Sequence, residues 1–461
     1  MKLNNYSDFL YNKELVLSSS GFEPSLGNKY LFPFQKRIVE WAIRKGRACL
    51  FEDCGLGKTI QQLDWGKQVS DKMKSPVLIF APLAVSEQTK REGEKFGFSV
   101  NICKSGKDVV DGINITNYEK LHKFQPDIFS GIVLDESSIL KNMVGYYRNE
   151  LIDFSSFIPY RLACTATPSP NDYMELGNHS EFLGVMSYVE MLAMFFINDP
   201  GDVGKWRLKK YAKEEEFWKW VCSWAIMISN PKDIGYDEDG FDLPDLIYHE
   251  HIIPSTGKAN YGFFTVEVNT LDERRKVRRE SIEQRCEYAA DLINSTDDQW
   301  VIWCGLNAES ELLTKLIQGA VEVTGSQDQE YRIKKMLGFA EGKVNRIVSK
   351  PSIAGLGMNW QNCNKAFFVG LNDSWEGFYQ AVRRIYRFGQ QNIVDVHIVI
   401  EEREGTVLKN IKRKDNQAKH MIKNMINHTS DFVKKELFND EDNNEEIQWN
   451  EENMIIPSWL S

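Results

Sequence analysis

The chain has 461 residues, of which 42% are hydrophobic, so its length allows about three domains of ~150 residues with sizeable cores. Its formal net charge is −10, but residues 436–453 carry eight acids and no base, so the remaining residues have a net charge of −2. This nearly neutral remainder does not exclude a local nucleic-acid site. No apolar run approaches the ~20 residues of a membrane span, and the N-terminal residues lack the apolar core of a secretion signal, so we expect neither a membrane protein nor a secreted one. No two of the eight cysteines form a CxxC pair, which argues against a zinc site and against disulfides.

Short apolar runs rich in β-branched residues alternate with helix-like segments in both halves of the chain. Such alternation predicts parallel sheets covered by helices on both faces. The expected fold class is therefore α/β, with two tandem doubly wound parallel-sheet domains. The predicted strands are residues 48–51, 77–80, 113–116, 132–134 and 161–164 in the first domain, and residues 300–304, 321–323, 346–348, 366–369 and 394–400 in the second.

Changes in composition indicate the domain boundaries. The acidic, asparagine-rich C-terminal segment predicts disorder. We interpret it as an inert solubilising tail, with binding of a partner protein or of a nucleic-acid cleft as the alternatives. The predicted units are an N-terminal extension (1–27), a first α/β domain (28–185), a helical insertion and connector (186–280), a second α/β domain (281–435) and the acidic tail (436–461).

A tryptophan cluster lies in the predicted insertion. Trp218, Trp220 and Trp224 are separated by two and four residues. This spacing suits one buried face of a helix. We therefore expect the cluster to pack inside the protein rather than to stack on nucleic-acid bases.

The first chemical motif is EDCGLGKT, which lies between a predicted strand and a predicted helix. Small residues such as Gly55 and Gly57 allow main-chain N–H groups to surround phosphates, and a helix N-terminus favours negative charge. Lys58 would then neutralise the β and γ phosphates of ATP, and Thr59 would bind Mg²⁺. The generic phosphate-loop pattern has glycine where Glu52 stands, so an ordinary turn is the alternative interpretation.

A second motif, IVLDESSILKN, begins as an apolar strand and ends in two acids. Asp135 would hold Mg²⁺ through its water shell, and Glu136 would orient and deprotonate the attacking water. Paired acids after a strand also occur as a solvated loop. The acidic pair gains weight only if it meets Lys58 at one site.

Further motifs make a family resemblance specific. In chain order, the first half contains FPFQKRIVEW, GLGKT, LIFAPL, ITNYE, LDESSILKN and TATPSPNDYMEL, and the second half contains SKPSIAGLGMNWQ and NDSWEGFYQAVRRIYRFGQ. These segments resemble the motifs of superfamily 2 helicases, and most of all those of the Swi/Snf family of double-stranded DNA translocases. The resemblance implies two RecA-like domains that share one ATP site.

The same resemblance assigns roles to residues of both halves. It implies that Arg384 and Arg387 are arginine fingers, which stabilise the charge that develops on the transferred phosphoryl group. It also implies that Gln380 lies beside the same phosphate and that Gln35 reads the adenine edge. A solvated helical face that includes Arg383 is the alternative for the arginines.

Contacts to nucleic acid are expected from two sources. Three basic segments, residues 205–213, 274–285 and 409–423, could neutralise phosphates, although each taken alone is also compatible with a solvated helix surface. The family resemblance adds the motif loops. The residues it implies are Pro82, Thr116, Asn117, Gly355, Gly357 and Asn359.

One departure from the family pattern concerns the acidic motif. The motif commonly ends in Ala-His in the family, whereas this chain has Ser137 and Ser138. The coupling role of that histidine is therefore in doubt for this chain, although hydrolysis itself does not require it.

The predicted function is that of an ATP- and Mg²⁺-dependent motor that translocates on duplex DNA. It resembles the compact motors of phages and mobile elements, and we expect a monomer in the cytoplasm of a bacterium or a phage-infected cell. A helicase that separates strands of branched DNA or RNA shares every ATPase residue and stays open. A nucleic-acid-binding scaffold without turnover is the non-enzyme alternative, which the presence of all six residues of the predicted ATP site disfavours.

Overall fold

A computed structural model describes residues 19–438, except residues 26, 83–84, 142–144, 171, 199–205, 238, 256–270, 355–357 and 373. The acidic tail from residue 439 onward and most of the predicted N-terminal extension lie outside the described residues. No helix in the described part of the chain is both long enough and apolar enough to cross a bilayer.

Seven parallel strands form the sheet of the first domain, in the order β3-β4-β2-β5-β6-β1-β9. Parallel strands need crossover connections, and helices on both faces provide them. The strands are β1 (Arg47–Glu52), β2 (Val77–Ala81), β3 (Val100–Ile102), β4 (Ile113–Asn117), β5 (Gly131–Asp135), β6 (Tyr160–Thr165) and β9 (Ala225–Ile228). The helices are α1 (Pro33–Lys45), α2 (Lys58–Met73), α3 (Ser86–Lys95), α4 (Tyr146–Ser155), α5 (Leu176–Leu183), α6 (Tyr188–Phe195) and α7 (Ala212–Cys222).

Six parallel strands form the sheet of the second domain, in the order β10-β15-β14-β11-β13-β12. A separate antiparallel pair joins β7 (Phe196–Asn198) to β8 (Trp206–Leu208). The strands of the second sheet are β10 (Leu246–Ile253), β11 (Trp300–Cys304), β12 (Ala320–Val323), β13 (Arg346–Ser349), β14 (Lys365–Val369) and β15 (Val394–Glu401). Its helices are α8 (Leu271–Glu280), α9 (Ile282–Asn294), α10 (Asn307–Leu316), α11 (Gln329–Ala340), α12 (Pro351–Ala354), α13 (Trp375–Val382) and α14 (Gly405–Phe438).

The prediction of an α/β protein with two parallel sheets is confirmed, and all ten predicted strands are present. The segment 186–280 differs from the expected helical insertion and connector. It contributes β9 beside β1 in the first sheet and β10 beside β15 in the second. A four-residue apolar strand such as β9 carries too few residues to reveal its period, and β10 mixes polar and apolar residues on both faces.

The core lies on both faces of each sheet. Trp218, Trp220 and Trp224 are fully buried in the first domain, as the sequence predicted. The long helix α14 belongs to both cores, because Leu408 packs in the second domain and Met425 packs beside the tryptophans of the first. The two sheets are therefore linked by one continuous helix as well as by the connector.

Candidate active site

The glycine-rich loop follows β1 and ends where α2 begins at Lys58. Gly55 and Gly57 have φ angles of 96° and 83°, a region that strongly favours glycine. A Cβ atom on Gly57 would lie 2.3 Å from Nε2 of the Gln35 side chain, so a larger residue would displace this amide in addition to straining the main chain. The loop therefore turns tightly into the N-terminus of α2, where main-chain N–H groups favour an anion.

Lys58 is held against the main chain of this loop. Its ammonium group donates to the carbonyl oxygens of Glu52 and Asp53 over 2.7 and 3.1 Å. The Glu52 side chain is buried and accepts a hydrogen bond of 2.8 Å from Gln61 Nε2 of α2. Burial raises the pKa of Glu52 to about 7, and Lys58 opposes this shift. Because the Glu52 side chain binds to α2, the phosphate loop can form although glutamate stands where the generic pattern has glycine.

The acidic pair lies at the carboxyl end of β5, two strands from the phosphate loop in the sheet. Gln62 Nε2 donates to Asp135 Oδ1 over 2.8 Å, and Thr165 Oγ1 donates to Glu136 Oε1 over 2.7 Å. Burial raises the pKa of both carboxyl groups, whereas the hydrogen bonds and Lys58 lower it. Thr165, the first threonine of the TATP motif, is the last residue of β6, and its contact with Glu136 was not predicted from the sequence.

One cavity of about 390 Å³, the active-site cavity, is lined by residues of both domains. The first domain contributes the phosphate loop and the acidic pair, and the second contributes Arg384 and Arg387. The Arg384 guanidinium donates to the main-chain carbonyls of Gln380 and Met358 over 3.0 and 3.4 Å. Burial lowers the pKa of both arginines, that of Arg387 to about 10, so Arg387 stays cationic at neutral pH. The structure thus brings the predicted lysine, acids and arginines to one place.

The neighbouring Arg383 makes a different contact, which sequence analysis missed. Its guanidinium forms an ion pair with the carboxylate of Asp53 in the phosphate loop, and Tyr379 donates its hydroxyl to the same carboxylate. The guanidinium also lies over the ring of Tyr379, at 5.2 Å from its centroid. These residues therefore join the second domain directly to the phosphate loop.

An aromatic cluster closes one side of the active-site cavity. The ring of Phe388 lies 4.5 Å from that of Phe241 and 6.1 Å from that of Phe32, measured between centroids. All three line the cavity, and aromatic faces of this kind suit a purine ring. The only sequence signal was that Phe388 follows Arg387, since Phe241 lies in a turn-rich segment without periodicity.

The two predicted glutamines are placed differently. Gln35 lines the active-site cavity, where its amide accepts from the Phe32 N–H over 2.9 Å and donates to the Leu56 carbonyl over 2.8 Å. Reading an adenine edge would require one of these bonds to be exchanged. Gln380 lines a neighbouring cavity of about 650 Å³, which also reaches Glu136.

Two residues predicted to contact nucleic acid are buried. Thr116 and Asn117 are 1% and 5% exposed, and Thr116 Oγ1 donates to the Cys103 carbonyl over 2.9 Å. In the structure without nucleic acid these two side chains are therefore turned into the first domain, and their contact with nucleic acid stays a prediction.

The other predicted nucleic-acid contacts have mixed outcomes. Pro82 lines both cavities, and Asn359 lines the active-site cavity. Gly355 and Gly357 lie outside the described residues.

The basic segment 274–285 is partly a structural element. Arg285 is fully buried and pairs with Glu309 at 2.7 Å, and Arg278 lies 3.7 Å from Glu404. Arg285 therefore joins α9 to α10, and Arg278 joins α8 to the turn that precedes α14. For these two side chains the ion pairs favour the structural interpretation over contact with phosphates.

The side chains present fit Mg²⁺. The Thr59 hydroxyl and the Asp135 carboxylate both line the active-site cavity. Protein sites commonly bind Mg²⁺ through one or two carboxylates together with substrate phosphates. Among the described residues, no group of three or more His, Cys, Asp or Glu side chains is arranged to hold a metal by itself.

A phosphate loop and an acidic pair that face two arginines of a second parallel-sheet domain define a two-domain nucleotide hydrolase. Comparison with known families specifies its kind. Residues 34–196 match the family profile of the SNF2-related domain, and residues 284–389 match that of the helicase conserved C-terminal domain. The chain thus matches an SNF2-related domain followed by a helicase C-terminal domain, the two domains of superfamily 2 helicase-like ATP hydrolases.

Individual relatives are distant and longer. The chain is 20% identical over 410 residues to the SWI/SNF-related matrix-associated actin-dependent regulator of chromatin subfamily A-like protein 1 of Bos taurus, a match over 80% of this chain and 42% of that protein. It is 28% identical over 202 residues to the chromodomain-helicase-DNA-binding protein 1-like of Danio rerio, a match over 39% of this chain and 20% of that protein. The chain thus spans less than half the length of these relatives.

Among solved structures, the chain is similar to the Sulfolobus solfataricus SWI2/SNF2 ATPase core in complex with double-stranded DNA. The TM-score is 0.42 and the identity 18%, over 82% of this chain and 90% of that one.

Proposed function

We propose that the chain is an ATP-driven motor that translocates on double-stranded DNA and hydrolyses ATP between its two domains. The observation that carries this proposal is the active-site cavity, where Lys58 and Glu136 of the first domain face Arg384 and Arg387 of the second. An ATP site divided between two domains links the state of the nucleotide to the separation of the domains.

Each side chain has a distinct task in hydrolysis. Lys58 would neutralise the β and γ phosphates, and Glu136 would orient the attacking water and accept its proton. Arg384 and Arg387 would stabilise the charge that develops on the γ-phosphoryl group. Mg²⁺, when bound, would supply further neutralisation of the phosphates, and Thr59 and Asp135 are the residues that would hold it.

Duplex DNA as the track is supported by the Swi/Snf motifs and by the relatives, whose names include a chromatin regulator and a DNA-binding helicase. In this proposal, ATP binding closes the domains, the arginines complete the site, and hydrolysis reopens it. Each cycle then advances one domain along a strand. We further propose that the motor is a monomer of the compact phage or mobile-element type and acts in the cytoplasm.

The test measures ATP hydrolysis with duplex, single-stranded and forked DNA and RNA. We expect duplex DNA to stimulate the rate most, and we expect the chain to displace a third strand from a DNA triplex without separating the duplex. Glu136→Gln should abolish turnover, because an amide cannot accept the proton from water. Lys67→Ala is the control for a substitution outside the active-site cavity, because Lys67 lies on the helix that begins at Lys58 and its side chain is half exposed. This variant should hydrolyse ATP at the wild-type rate.

Three outcomes would contradict the proposal. Equal rates of ATP hydrolysis with and without duplex DNA would show that duplex DNA is not the track. Separation of the strands of forked DNA would favour the helicase. DNA-independent hydrolysis of ATP by the Glu136→Gln variant would show that the proposed site is not where ATP is hydrolysed.

A further inference from the structure

Glu136 has an unusual main-chain conformation. Its φ angle is 60°, in the left-handed region that residues with a side chain rarely adopt. Such a conformation costs free energy and persists only where the surrounding structure holds it. The residues that hold Glu136 therefore also decide where its carboxylate points.

Three consecutive residues of the acidic motif are anchored. Before Glu136, the carbonyl oxygen of Asp135 accepts a hydrogen bond of 2.7 Å from the Tyr118 hydroxyl. The carboxylate of Glu136 itself accepts from Thr165, as described above. After Glu136, Ser137 Oγ lies 3.1 Å from Nε2 of His179.

The Ser137–His179 pair lies in the interior of the first domain. Both residues are 0% exposed, and His179 comes from α5, which begins shortly after the TATP motif. The imidazole also meets the ring of Phe51 edge-on, with 5.1 Å between centroids. Because Phe51 lies on β1, the strand that leads into the phosphate loop, the pair links the acidic motif to two other parts of the ATP site.

Burial keeps the imidazole neutral. It lowers the pKa of His179 to about 4, so the ring carries one proton and no charge at neutral pH. A buried neutral imidazole stabilises a fold mainly through its packing and its hydrogen bonds. Here the hydrogen bond is made to the residue that follows Glu136.

We propose that His179 is a positioning residue for ATP hydrolysis, which holds the main chain after Glu136 through Ser137 and so directs the Glu136 carboxylate at the attacking water. This inference rests on the proposed role of Glu136 and is independent of the track along which the motor moves. The contact needs a hydroxyl group at position 137, where the family motif commonly has alanine. It is therefore a property of this chain and was not visible in the motif alone.

The experiment measures steady-state ATP hydrolysis in the full chain. We expect Ser137→Ala and His179→Leu each to lower kcat about tenfold, because small displacements of a catalytic group cost rates of this order. KM for ATP should change less than twofold, since neither residue lines the active-site cavity. His179→Gln should retain most of kcat, because its amide nitrogen can take the place of Nε2. The double variant Ser137→Ala/His179→Leu should be no slower than either single variant.

The control is Ser180→Ala, which removes a buried hydroxyl from the next residue of α5. That hydroxyl donates over 2.9 Å to the Met186 carbonyl, which lies outside the acidic motif, so kcat should stay at the wild-type value. Ser137→Ala removes only one oxygen atom, so it tests the Ser137–His179 contact even if the His179→Leu variant does not fold.

Four results would overturn the inference: wild-type kcat in both single variants, an equal loss in Ser180→Ala, a His179→Gln variant as slow as His179→Leu, or fully additive losses. Retention of activity in Glu136→Gln is a separate result, because it would remove the proposed role of Glu136 itself.

Discussion

Burial controls the charge of the acidic side chains around the ATP site. Glu52, Asp135 and Glu136 all have raised pKa values, and in each case the largest cause is removal of the carboxylate from water. Lys58 opposes the shift at all three. The first domain therefore holds three buried carboxyl groups, and Lys58 and the hydrogen bonds only partly offset the rise in pKa that burial causes.

Glu52 makes the stability of the protein depend on pH. Its folded-state pKa of about 7 lies above the ordinary 4.5, so the folded state binds more protons between these values. The contribution is fully present below pH 4.5 and is lost as pH rises through 7. The difference of about 2.5 units corresponds to roughly 3 kcal/mol at 1.36 kcal/mol per unit.

We expect Glu52→Gln to remove this dependence, because an amide keeps the hydrogen bond partner of Gln61 without a charge. The measurement is the denaturation midpoint of nucleotide-free protein between pH 5 and 8, with Asp71→Asn as an exposed control on the end of α2. The prediction fails if wild type and Glu52→Gln lose stability in parallel over this range.

Two elements join the domains in different ways. The turn after α13 brings Arg383 to Asp53 of the phosphate loop, and the side chains of this ion pair are 13% and 10% exposed. Helix α14 instead crosses from one hydrophobic core to the other. If the domains open and close as proposed, these contacts must break or bend in each cycle, and they contribute to the free-energy cost of opening.

Helix α14 should stabilise the first domain although it follows the last strand of the second. Met425 is 0% exposed among first-domain residues, and truncation of a buried methionine costs about 2–5 kcal/mol. We expect Met425→Ala to speed hydrogen exchange in β9 and α7, whereas Leu408→Ala on the same helix should speed it in the second sheet. Hydrogen exchange resolved to peptides measures both. If Met425→Ala affects only the second sheet, the helix does not brace the first domain.

At the scale of the whole molecule, the acidic charge is concentrated at the C-terminal end. Residues 436–461 contain eight acids and no base, so truncation after Lys435 changes the formal charge from −10 to −2. Attraction of DNA depends on local positive fields and is screened by salt, so charges more than a Debye length from the DNA have little effect on it.

We therefore expect truncation after Lys435 to leave both DNA affinity and its salt dependence unchanged, as an inert tail requires. Fluorescence anisotropy with a labelled duplex at several salt concentrations measures this. Affinity that rises on truncation would instead identify the tail as a competitor of DNA, and loss of a bound protein would identify it as a partner-binding segment.

The sequence by itself determined the features that depend on neighbouring residues. The ten core strands follow from short apolar runs, and the motifs containing Lys58, Glu136 and Arg387 follow strands or precede helices because phosphate chemistry requires those positions. The tertiary structure alone decided which distant segments meet. It added β9 and β10 to the two sheets, buried Thr116, committed Arg285 to an ion pair, and brought Arg383 to Asp53 and His179 to Ser137. The contacts of His179 with Ser137 and of Arg383 with Asp53 join residues 42 and 330 positions apart, and the local sequence pattern carries no information about such pairs.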